Sequence, residues 1–287
     1  MQDRYVADVG DFGKYGLLRC LTGITCVSEE GKLKLGVIWY LTPSCLGNVN
    51  DGRHLGYLDK KKKFKDCDES LFDALEKIRG EITTLDNGNR VRLPNLMRTE
   101  VNHCRVQKPA LERVQDAGFL GTELFFDEPL CASIDRAKWW ENTRESLKDK
   151  CDLVFMDPDN GLRVHYEDNN VRFIKEDPSP SPKHVYIEEI KGVITNKSTS
   201  LVFYHHLGRH GGKHDQQINK IANCLKAEFS DEVSIFCIRY RRGSGRAFFI
   251  LAQGDYKDVL TQRITQFVDP DSNWVKRKHL ELAYPKQ

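Results

Sequence analysis

No apolar run in this chain approaches the roughly 20 residues that a helix needs to cross a bilayer, so a membrane-spanning protein is not expected. There is also no Cys-x-x-Cys pair. The nine cysteines, an odd number, stand at Cys20, Cys26, Cys45, Cys67, Cys104, Cys131, Cys151, Cys224 and Cys237, without the close or regular spacing of zinc clusters and disulfide frameworks. Most are expected to be small buried hydrophobes in a reducing compartment. The opening residues Met1-Gln2-Asp3-Arg4-Tyr5 lack the basic-then-apolar order of a secretion signal, so a cytoplasmic location is expected. Nor does one sign of charge dominate, because 44 Lys+Arg face 42 Asp+Glu for a formal charge of +2. Bulk charge therefore does not announce a nucleic-acid binder, although basic residues do cluster: Lys60 to Lys63 with Lys65, then Arg239, Arg241, Arg242 and Arg246, then Lys276, Arg277 and Lys278. Local patches hold phosphates without a high pI, and the same runs also serve as solvated faces.

The most informative stretch present is Leu153-Val154-Phe155-Met156-Asp157-Pro158-Asp159-Asn160-Gly161. An apolar strand that runs into acids places them at the open carboxyl edge of a sheet, where α/β folds keep ligands. Asp157-Pro158 and Asn160-Gly161 then force a short rigid loop; the bland alternative is a helix cap and a turn.

Around it the periodicity predicts a helix over 11–21, a first central strand over 34–41 and a helix over 69–79. Further elements are a strand at 124–126, a helix over 134–147, the strand at 152–156, a helix over 183–194, a strand at 201–204 and a helix over 216–229. Residues 233–240 and 247–252 predict a hairpin across the arginine-rich turn 241–246, followed by a helix over 256–267. In the 183–194 helix Glu188, Glu189 and Lys191 are expected on the solvated side. Strand, helix, strand is the parallel crossover unit. The economical account is one α/β domain, a Rossmann-like, mostly parallel sheet closed by an antiparallel hairpin, with an inserted α-rich segment at about 60–119.

This order resembles class I methyltransferases, and more narrowly the adenine-N6 methyltransferases of 23S ribosomal RNA. The residues that carry the likeness are Gly10-Asp11-Phe12-Gly13-Lys14-Tyr15, Asp157-Pro158 and Arg246-Ala247-Phe248-Phe249-Ile250. The resemblance implies S-adenosylmethionine as a cofactor and an N-terminal group of Asp8, Asp11, Lys14 and Tyr15 near the crevice, with Lys14 paired to a phosphate or to Asp157. The family holds that cofactor on a glycine-rich turn after its first strand, whereas Tyr40-Leu41-Thr42-Pro43-Ser44-Cys45-Leu46-Gly47-Asn48 has no Gly-x-Gly. Asp159 and Asn160 stand where the family has a proline and an aromatic clamp. Asn50, Asp51 and Arg53, in a polar loop at the same place, are candidates for sugar or phosphate recognition, or form only a turn.

A carboxylate beside a carboxamide can orient water and read a base edge. The next strand ends in Tyr204-His205-His206-Leu207-Gly208-Arg209, with His210 and His214 following. In role, Asp157, Asn160 and His205 or His206 are similar to the acid, asparagine and histidine of uracil-DNA-glycosylase-like enzymes. The leading expectation is therefore a DNA-glycosylase-type hydrolase acting on a flipped base, with no cofactor and no metal, and with nucleic acid, DNA first, as partner. Asp157, Asp159, Asn160, His205 and His206 are its catalytic candidates; Asp11, Lys14, Tyr15, Asn50, Asp51, Arg53, Tyr204, Arg209, Arg241, Arg242 and Arg246 are its substrate-binding candidates. Such an enzyme would suit defence against phage DNA with modified bases. The alternatives are an S-adenosylmethionine-dependent methyltransferase, a metal-dependent nuclease using Asp157 with Glu189-Ile190-Lys191, a zinc site in the histidine group, and a non-catalytic nucleic-acid-binding protein.

Overall fold

In a computed structural model, residues 5–26, 31–42, 54–84, 109–167, 170–175, 177–195, 198–209 and 211–285 are described. The chain opens with α1 (Val9–Thr22) and β1 (Leu35–Ile38), then α2 (Lys61–Phe64), α3 (Glu69–Thr84), α4 (Pro109–Asp116) and β2 (Phe125–Phe126). Next come α5 (Arg136–Leu147), β3 (Leu153–Met156), the short strands β4 (Gly161–Leu162), β5 (Val164–Tyr166), β6 (Val171–Phe173) and β7 (His184–Val185), and α6 (Ile187–Ile194). The last third holds β8 (Ser200–His206), α7 (His214–Glu228), β9 (Ser234–Tyr240), β10 (Arg246–Ala252), α8 (Lys257–Phe267), α9 (Asn273–Lys276) and β11 (Leu280–Tyr284).

Seven strands form one sheet in the order β11-β9-β10-β8-β3-β1-β2. β2, β1, β3 and β8 run parallel, while β10 is antiparallel to both β8 and β9 and β11 is antiparallel to β9. The architecture is the expected Rossmann-like α/β sheet closed by a hairpin, with β11 added at the edge beyond it. The sequence reading passed over β11 because Leu280-Glu281-Leu282-Ala283-Tyr284 is too short and mixed to stand out.

Both faces of the sheet are covered, which is why its strands read as continuous apolar runs. Leu35, Val37, Leu153, Phe155, Val202, Phe248 and Ile250 pack on the side of α1, α3 and α8. Their neighbours Ile38, Val154, Met156, Phe203, Phe249 and Leu251 pack on the side of α5, α6 and α7. This alternation decides which side chains at a strand end share a crevice.

Three expectations are corrected. The predicted 183–194 helix begins only at Ile187, because His184–Val185 pairs with β4 as a strand and Tyr186 opens the helix with a capping box to Glu189. Glu189 is consequently buried rather than solvated. Among the cysteines, Cys20, Cys26, Cys67, Cys151, Cys224 and Cys237 are free, but Cys131 is in a disulfide.

Candidate functional site

The site lies at the carboxyl ends of β1, β3 and β8. Asp157 follows β3 directly, and its backbone N–H continues the ladder by donating to the Ile38 carbonyl at 2.9 Å. Pro158 and Asp159 carry the chain across the sheet edge, where Asp159 accepts from the Thr42 hydroxyl at 3.0 Å. Gly161 turns it with φ +91°; a Cβ there would lie 2.5 Å from the His205 Cα, so only glycine permits this return beside β8. The amide of Asn160 is tied to the Lys183 carbonyl at 2.8 Å.

The N-terminus of α1 closes the other side. Asp8 caps the helix through one oxygen, which accepts from the Gly10 and Asp11 amides at 2.6 and 3.0 Å. Its second oxygen meets the Arg246 guanidinium at 3.0 Å. Lys14, one turn on, places its ammonium 2.7 Å from Asp11 and 2.8 Å from Asp157. Tyr15 lies beneath that ammonium, its ring centroid 4.8 Å away, and donates to Asp11 at 3.4 Å. Ala7 and Tyr40, which flank the cluster, hold positive φ values of 63° and 45° without being glycines. Such strain costs about 1–3 kcal/mol per residue and persists where surrounding structure enforces it.

Three buried carboxylates, Asp8, Asp11 and Asp157, thus share two buried cations, Lys14 and Arg246. Burial alone would lower the Lys14 ammonium, but Asp11 and Asp157 outweigh it and hold it well above the ordinary lysine value. Burial raises Asp11 to about 6 against the pull of Lys14, with Asp8 and Asp157 adding repulsion. Both shifts are upward because one cation serves two acids: the lysine stays charged, and Asp11 is the carboxyl that most readily takes up a proton.

These groups line a pocket of about 340 Å³, together with Tyr5, His54, Asp159, Asn160, Lys183, Tyr204, His206, Ser244 and Phe248. Tyr204 reaches the Nδ1 of His206 at 3.4 Å. Burial, with Arg246 and His214 nearby, lowers the His206 imidazole, so it is neutral at pH 7 and can both accept and donate. Burial keeps the Tyr204 phenol protonated, raised to about 12.

The two candidate histidines separate because β8 alternates. His206 faces the pocket, whereas His205 enters the opposite core, accepts the Leu162 amide on Nδ1 at 3.1 Å and meets the Tyr166 hydroxyl through Nε2 at 3.4 Å. Its imidazole, lowered by burial to about 3, is a neutral structural link. Asp157, Asp159, Asn160, His206, Asp11, Lys14, Tyr204 and Arg246 come together at the pocket. Arg246 does so as the buried first residue of β10, not as an exposed turn residue. Tyr15 supports the cluster from below, Arg209 is exposed and does not line the pocket, and Arg241 and Arg242 lie outside it. Asn50, Asp51 and Arg53 lie outside the described residues.

The nuclease candidate Glu189 instead receives the Tyr40 hydroxyl at 3.0 Å and both Arg136 arms at 2.8 and 3.0 Å. Among the described residues no group of three or more His, Cys, Asp or Glu is placed to hold a metal ion. Sequence reasoning missed Tyr5, Lys183, Ser244 and Phe248 at the pocket, whereas His54 ends the polar loop Asn50-Asp51-Gly52-Arg53-His54 offered for sugar or phosphate recognition. Only Phe248 had a signal, the period of two from Arg246 along its strand. No protein-family model matches the chain, and a search of curated proteins returns no match.

Proposed function

We propose that this chain is a nucleic-acid base-acting hydrolase that cleaves the N-glycosidic bond of a single base held in the pocket, in the manner of a DNA glycosylase and without a cofactor. The observation that carries this reading is the Asp157 carboxylate, held by a buried lysine 2.8 Å away in the wall of a pocket that also presents Tyr204, Phe248, Asn160 and His206. A volume of about 340 Å³ is at the small end of ligand sites, the scale of one nucleoside. Aromatic stacking of the kind Tyr204 and Phe248 offer is worth about 1–3 kcal/mol per base.

In the reaction the bond between the sugar C1′ and the base nitrogen breaks, and its electron pair leaves with the base. Asp157 stabilises the positive charge that develops on the sugar. Water then adds hydroxide to C1′ and its proton goes to the departing base, whose edge His206 and Asn160 hydrogen-bond. Lys14, 2.8 Å away, positions the Asp157 carboxylate.

The strand order supports a second reading, methyl transfer, because β10 enters antiparallel between β8 and β9 as the closing hairpin of the methyltransferase layout does. Asp8, Asp11 and Asp157 fit the sulfonium charge of S-adenosylmethionine, but the described residues supply no glycine turn after β1 to hold its methionine end. One experiment separates the two readings. DNA with unmodified and modified bases is incubated with the protein, with and without S-adenosylmethionine, and scored for released base, abasic sites and mass gain. Base release without cofactor is the expected result. A mass gain dependent on S-adenosylmethionine selects methyl transfer, and no change in any substrate overturns both.

A further inference from the structure

The three basic clusters of the sequence, far apart along the chain, converge on one surface beside the pocket. The buried His279 joins them. Its Nδ1 accepts from Arg242 at 3.0 Å, which leaves the proton on Nε2 to be donated to the Lys63 carbonyl at 3.1 Å. Arg242 also donates to the Arg277 carbonyl at 2.6 Å, and the Arg241 amide to the His279 carbonyl at 2.7 Å. Burial, with Arg242, Lys63 and Arg277 around it, lowers His279 to about 4, so the latch is neutral and adds no charge of its own.

Cations gathered in this way repel one another unless an anion joins them. Arg277 has Asp66 as a partner and Arg241 has Glu281. Lys60, Lys63 and Arg242 have no carboxylate partner among the described residues. The Lys63 ammonium is lowered by Arg242 first, then by slight desolvation, Lys60 and Arg277, as expected of an unneutralised cluster. The surface is continuous with the pocket mouth. The Arg242 carbonyl accepts from Arg246 at 3.0 Å, and the turn that follows brings Ser244 to the pocket wall.

We propose that Lys60, Lys63 and Arg242 form a docking surface for the phosphate backbone of nucleic acid, which runs along α2 and the β9–β10 turn and delivers one nucleotide into the pocket. The delivery step rests on the function proposed above; the docking itself does not. Arg246 is excluded from this surface, because its guanidinium is committed to Asp8.

The test measures binding of fluorescently labelled single- and double-stranded oligonucleotides as a function of salt, using wild type, the double variant Lys60→Ala/Lys63→Ala, Arg242→Ala, and the control Lys226→Ala on α7 at the other face. Expected are a loss of affinity in both patch variants and a salt slope smaller in magnitude by about 0.7 to 0.9 per lost contact, with the control unchanged. The lysine pair keeps the test decisive if Arg242→Ala loosens the His279 latch and fails to fold. Unchanged affinity and slope in the lysine variant, or wild-type binding to vesicles containing phosphatidylserine but not to oligonucleotides, overturns the proposal. Binding that depends on the patch without base release or methyl transfer retains the docking surface and overturns only the proposed chemistry.

Discussion

Two buried ion clusters sit on opposite sides of the same sheet edge, and they are built differently. On the α6 side, Arg136 spans both oxygens of Glu189 and also donates to the Ser181 and His184 carbonyls at 3.0 and 2.6 Å. Tyr40 and the Tyr186 amide complete that carboxylate, each at 3.0 Å. One acid meets one bidentate cation, and the group locks β1, β7, α5 and α6 together. On the α1 side, three carboxylates share two cations against an open pocket. A closed pair with both carboxylate oxygens hydrogen-bonded is architecture, whereas an unbalanced cluster facing a cavity keeps charge available for a ligand. The comparison also explains why Glu189-Ile190-Lys191 looked catalytic in sequence: acids serve both purposes, and only their partners tell them apart.

The largest effect expected from breaking the contrast is on turnover. Asp157→Asn retains an acceptor for Lys14 but loses the negative charge, so base release should fall by about 10² to 10⁴-fold, the usual scale for one catalytic group. Unfolding free energy should change by only about 1 kcal/mol. Single-turnover kinetics and urea unfolding on the same preparation check both numbers, and full activity in the folded variant would remove Asp157 from the mechanism.

Arg136→Met should reverse that pattern. It strands a buried carboxylate and is expected to cost about 3–5 kcal/mol of stability while the activity of the remaining folded fraction is kept. Urea midpoints together with activity per folded molecule, at a temperature where the variant stays native, measure this. A large loss of turnover with little loss of stability would make the two clusters alike.

The smallest effect sharpens the division between neighbouring histidines. His205 is about 3 when folded against an ordinary 6.5, so between those values the unfolded chain binds a proton that the native state refuses. Its contribution to stability is complete above pH 6.5 and is lost as pH falls toward 3, at up to about 1.4 kcal/mol per pH unit. His205→Phe should flatten that slope in urea titrations between pH 7 and 4.5 by up to this amount. An unchanged slope would show that His205 titrates normally and is not sealed in the core. His184 and His279, both lowered to about 4, remain in the variant and contribute to the residual slope.

Much of the frame was legible in the chain because it rests on local rules. Apolar runs at residues 34–41, 152–156 and 201–204 announced the buried strands that form at Leu35–Ile38, Leu153–Met156 and Ser200–His206, and the acid-proline step after β3 announced the crevice. The N-terminal motif gave Lys14 a phosphate or Asp157 as partner, and the lysine stands 2.8 Å from Asp157. The 183–194 stretch misled because a strand of two residues precedes the helix there, and β-pairing with Gly161–Leu162 is a long-range event that no helical period records. Likewise, nothing in Arg246 itself distinguishes a turn cation from a buried one.

By itself the sequence determined the main helices and central strands, their order and the loop that carries the acids, since each follows from periodicity and turn chemistry within a few neighbouring residues. Only the tertiary structure decided partnership: that Asp8 claims Arg246, that Arg136 claims Glu189, that His206 and not His205 meets the pocket, and that Lys63, Arg242 and Arg277 meet around His279. The physical reason is that burial and charge pairing depend on distances between side chains tens to hundreds of residues apart, which β-strand alternation and helix packing set only when the sheet has closed.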